Sequence, residues 1–113
     1  MKKFLAALAL VGLLASDAYA FRTLVTHTTV SVGVGSGLAL AANGQRNHVC
    51  LQNDHATQVV YCKWNATAVV NQGMRVNAAG GTICFDYTVP SGLLNCIATG
   101  ATTPLLVSEG VQQ

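Results

Sequence analysis

Beyond residue 20, apolar and polar residues alternate with a period of two along most of the chain, and no stretch there carries the period of an amphipathic helix. In 22–34, Leu24, Val30, Val32 and Val34 fall on one side, while Thr23, Val25, His27, Thr29 and Ser31 fall on the other. A glycine-rich break follows at 33–37, after which Leu38 and Leu40 alternate with Ala39 and Ala41. Asn43-Gly44 is a strong turn signal, because both residues accept positive φ. The stretch 46–64 reads as two strands joined by a polar turn at 53–58, with Cys50 in the first and Cys62 in the second. The stretch 82–98 repeats that plan with Cys84, a turn around Pro90, and Cys96. Proline is tolerated in a turn and not in a central strand. Short runs at 67–70 and 74–77 and a last strand at 103–108 complete the series, with a tail from Gly110.

The pattern predicts a single all-β domain over 21–113. The expected architecture is a small antiparallel β-sandwich or jelly-roll-like barrel of seven to nine short strands at spacings near ten residues. The first twenty residues read differently. Lys2 and Lys3, an apolar run over 4–15 and Ala18-Tyr19-Ala20 make a secretory signal peptide, and the run is too short to span a membrane. The expected localisation is therefore exported: periplasmic, extracellular or on a virion.

Export changes the reading of the cysteines. Four of them in a small domain bound for an oxidising compartment imply two disulfides among Cys50, Cys62, Cys84 and Cys96. Three connectivities are possible. The first expectation closes each hairpin on itself, 50 with 62 and 84 with 96; the second crosses between sheets, 50 with 96 and 62 with 84. No Cys-x2-Cys or His-x3-His spacing supports a metal site, so none is expected, and no cofactor either.

Charge narrows the function classes further. Residues 21–113 hold four basic residues (Arg22, Arg46, Lys63, Arg75) against three acidic ones (Asp54, Asp86, Glu109), with no basic stripe for nucleic acid. The polar surface must come from Thr, Ser, Asn and Gln, a composition suited to packing against other subunits. His27, His48 and His55 accompany no nucleophile elbow, and the acidic residues are too scattered for a paired-carboxylate glycosidase. An enzyme is not expected. Trp64, Tyr61 and Tyr87 are the candidate binding residues, as an aromatic platform for a glycan.

From Arg46 onward the order of features resembles short β-rich accessory proteins that decorate or cement bacteriophage virions. The pieces that carry this are Arg46 with 49–53 (Val-Cys-Leu-Gln-Asn), Val60-Tyr61, 79–81 (Ala-Gly-Gly), 89–92 (Val-Pro-Ser-Gly), Ile97-Ala98 and 105–110 (Leu-Leu-Val-Ser-Glu-Gly). The chain departs from those proteins in its export signal and its cysteines. The resemblance implies a β-sandwich without catalysis or cofactor, and it transfers no functional residue. The expected function is a non-enzymatic structural or assembly subunit whose partners are copies of itself or capsid-like proteins. The alternative is a secreted or periplasmic carbohydrate-binding β-sandwich.

Overall fold

The computed structural model describes residues 22–113; the expected signal peptide lies outside them. Eight strands follow one another: β1 (Thr23–Val32), β2 (Gly37–Leu40), β3 (Arg46–Asn53), β4 (Val60–Trp64), β5 (Met74–Val76), β6 (Thr82–Phe85), β7 (Leu94–Ala98) and β8 (Thr103–Gln112). They form two antiparallel sheets, ordered β1-β8-β3-β6 and β2-β7-β4-β5. Apart from β4 and β5, consecutive strands lie in opposite sheets, which is the double-sheet jelly-roll arrangement. The expected all-β class is observed.

The alternation seen in the sequence becomes the core. Val49 and Leu51 of β3, Val60 and Cys62 of β4, Leu94, Cys96 and Ala98 of β7, and Leu105 and Val107 of β8 face inward and are buried. Each is one of a period-two set, so the intervening residues point outward. Two apolar faces meeting in this way supply the main driving force for folding.

Two expectations change. Only β4 and β5 are consecutive in the chain and neighbours in a sheet; β3 to β4 and β6 to β7 each cross between sheets as arches. The cysteines read as hairpin partners therefore lie in different sheets. The turn at Asn43-Gly44 likewise joins β2 of one sheet to β3 of the other, without positive φ at either residue. Asn43 accepts there through its side chain from the Gln45 N–H at 3.0 Å and through its carbonyl from the Arg46 N–H at 3.2 Å.

The run 67–70 is a loop rather than a strand. Asn65 and Asn71, at φ 56° and 66°, bend the chain on either side of it, and the Ala68 N–H is taken by the Ser36 hydroxyl at 2.9 Å instead of a ladder partner. At the other end β8 continues through Gly110 to Gln112. A side chain at Gly110 would place its Cβ 2.8 Å from His48 Cβ and 2.9 Å from Thr23 Cγ2. Glycine here marks a close approach inside a strand, not a strand end.

Candidate functional site

The disulfides are Cys50–Cys84 and Cys62–Cys96. This corrects both expected pairings. Cys50 lies opposite Cys84 across β3 and β6, and Cys62 lies opposite Cys96 across β4 and β7. The Cα separations of 4.1 and 4.2 Å belong to the close pairs of antiparallel ladders. The β3–β4 and β6–β7 arches stack in register, and a cystine joins them at each foot. That is why Cys50–Cys62 and Cys84–Cys96 share one spacing, and why both disulfides span 34 residues. Rings of that size reach about 4 kcal/mol on the chain-entropy estimate, above the roughly 3 kcal/mol of a dozen-residue hairpin ring.

Side chains build the arches. Buried Asn53, at the end of β3, donates to the carbonyls of Gln58 (2.7 Å) and Val76 (3.1 Å) and accepts from the His55 N–H at 3.0 Å. The His55 ring then accepts from the N–H groups of Thr57 and Gln58 at 3.1 and 3.0 Å. Such local side-chain-to-backbone bonds specify a turn in place of a ladder.

The second arch is held from a distance by Arg46, whose side chain is wholly buried. Its Nε donates to Glu109 Oε2 at 2.7 Å, its Nη1 to the carbonyls of Pro90 (2.5 Å) and Gly92 (3.0 Å), and its Nη2 to the Ala41 carbonyl at 2.6 Å. The guanidinium lies 5.4 Å from the ring centroid of Trp64. One side chain thus ties β8, the β2–β3 turn and the β6–β7 arch together. This role was not legible in the sequence; the available signal was a lone arginine beside a turn in a charge-poor chain.

The aromatic candidates do not come together. Trp64 packs against the core on the inner face of β4 and meets Phe85 edge-on, with centroids 5.8 Å apart. Tyr61, one pleat away, is buried on the opposite face of β4; its hydroxyl donates to Asn71 at 2.9 Å and Arg75 lies 5.8 Å from its ring. Tyr87 is fully exposed in the β6–β7 arch. A flat platform of the three is not assembled.

Two surfaces of the β1-β8-β3-β6 sheet remain. The first is β1 itself, an edge strand of ten residues paired with β8 along its whole length. Its opposite number in the second sheet, β2, has only four residues, so the first half of β1 overhangs the core. Residues 23–29 are exposed on both faces, Leu24 by 47% and Val25 by 41%. The second is a shallow depression of about 370 Å³ on the outer face of the sheet, lined among others by His27, Gln52, Thr82, Leu106 and the Cys50–Cys84 cystine. His27 Nδ1 lies 2.7 Å from the Ser108 hydroxyl there. Beside it His48 bonds Asp86 through Nδ1, and its Nε2 lies 3.6 Å from Cys50 Sγ.

Comparison with known proteins gives a likeness of fold. No protein-family model and no curated protein matches the sequence. Among solved structures, a Bacillus endospore appendage protein, described as belonging to a family of disulfide-linked pili, is similar over 81% of this chain and 88% of its own. The TM-score is 0.51 and the identity 8%.

Proposed function

We propose that the chain is a non-enzymatic structural subunit that packs side by side with other protein subunits in an extracellular or virion-surface assembly, by strand addition along β1. The observation that carries this reading is the character of that edge. Residues 23–32 contain no Asp, Glu, Lys, Arg or Pro, and β1 has no register shift against β8. Monomeric proteins protect their edge strands with charges, prolines, bulges or short length. A long, even, uncharged edge that overhangs its own core instead offers a row of backbone donors and acceptors to another chain. The low charge of the whole domain and the likeness of its fold to an appendage subunit favour the same reading, and two cystines suit an exported protein.

The test is electron microscopy and light scattering of residues 21–113 at rising concentration. Oligomers, filaments or particles are expected, and Leu24→Lys with Thr28→Lys should disperse them. A monomer at every concentration, with no co-purifying protein, would contradict the reading.

A further inference from the structure

We propose that Cys50–Cys84 is a thiol-exchange site, at which a thiolate from outside the domain becomes covalently linked to Cys84. The site is separate from the β1 edge and does not depend on assembly there. Cys84 is exposed and Cys50 half-buried, whereas Cys62 and Cys96 are 0% and 1% exposed on the two inner strands of the other sheet. Only the first cystine meets solvent.

Direction follows from the sheet. Exchange requires the attacking sulfur to approach in line with the bond being broken. Attack on Cys84, the exposed sulfur, comes from beyond β6, the open edge of its sheet, while attack on Cys50, the half-buried one, would come from above β8. Cys50 is therefore the leaving sulfur, and it is the one with an imidazole beside it. Asp86 only accepts as a carboxylate, so His48 donates to it from Nδ1 and turns Nε2 toward Cys50 Sγ at 3.6 Å. As the incoming thiolate forms its bond to Cys84 Sγ, the Cys50–Cys84 bond breaks and its electron pair leaves on Cys50. The imidazolium form of His48 donates its Nε2 proton to that thiolate. One disulfide is consumed and one formed, so no oxidant is needed. Cys84 is exposed on the edge strand β6, where a small thiol or the exposed cysteine of a protein can reach it.

The test uses the exported, folded protein with reduced glutathione in non-denaturing buffer, stopped with N-ethylmaleimide and mapped by mass spectrometry. Glutathione is expected on Cys84 and maleimide on Cys50, with Cys62–Cys96 intact. His48→Ala should slow the adduct by roughly a hundred-fold or more, the lower end of the range for a positioned proton donor. Asp86→Asn should slow it less, with recovery in Asp86→Glu, because Asp86 acts by holding the ring. A second arm mixes native protein with the Cys50→Ser variant, whose Cys84 is free, and looks for a linked dimer on a non-reducing gel. Glutathione adduct alone assigns the site to small thiols, and a linked dimer extends it to protein thiols; either supports it. Both cystines opening at the same rate, an adduct on Cys50, or an unchanged rate in His48→Ala would overturn it. If Cys50→Ser does not fold, the glutathione arm decides alone.

Discussion

The two cystines are alike in the chain and unlike in the fold. Each spans 34 residues, and each bridges directly opposed residues of an antiparallel pair. Cys62–Cys96 is sealed between the sheets among Val60, Leu94 and Leu105, while Cys50–Cys84 sits outside, flanked by His48, Gln52 and Thr82. One pleat decides the difference, because neighbouring strand positions face opposite ways. The same covalent link therefore serves packing on one sheet and is open to chemistry on the other.

The largest effect expected of any change follows from that contrast. Replacing Cys62 and Cys96 together by Ala should cost about 5 kcal/mol, from the lost ring and the gap left by two buried sulfurs. That is the scale of the whole stability of a small domain. The Cys50→Ala, Cys84→Ala pair should cost about 1 kcal/mol less, since its sulfurs leave no enclosed cavity. Guanidinium titration of both variants checks the order, and equal losses would break the comparison.

Next comes Arg46→Ala, at about 3 kcal/mol, because Glu109 and three carbonyls would lose their buried donor. Arg46→Lys should recover only part, as an ammonium cannot reach four acceptors in that fork. Thermal melts of the two variants sharpen the contrast between interior supports and the outer face. Leu24→Lys with Thr28→Lys should then change stability by less than about 0.5 kcal/mol while removing assembly, measured by the same melts and by sedimentation. Smallest of all is Tyr87→Ala. Its exposed ring touches no other part of the site, so stability should stay within about 0.5 kcal/mol and assembly should be unchanged.

Much of the fold was legible because strand alternation is a local signal. The alternating faces of 22–34 and 38–41 were readable, as were the strands that carry the four cysteines. What failed was topology. A polar loop of six residues suits either a hairpin or an arch between sheets, and only the packed faces choose between them. The equal separations of Cys50 from Cys84 and of Cys62 from Cys96 were the clue to stacked arches. Gly110 was misread because a glycine demanded by crowding against His48 and Thr23 looks, in sequence, like one that ends a strand. Arg46 and His48 were unreadable as sites for a different reason: their partners, Glu109, Pro90 and Asp86, lie far along the chain.

The claim that most needs testing is that β1 is the seam between subunits. Amide hydrogen exchange compares the assembled form with the Leu24→Lys, Thr28→Lys variant held dispersed. The account predicts slow exchange across 23–30 in the assembly and fast exchange in the dispersed chain, with the free edge of β1 gaining a partner. Assembled particles in which those amides exchange as freely as in the single subunit would contradict it.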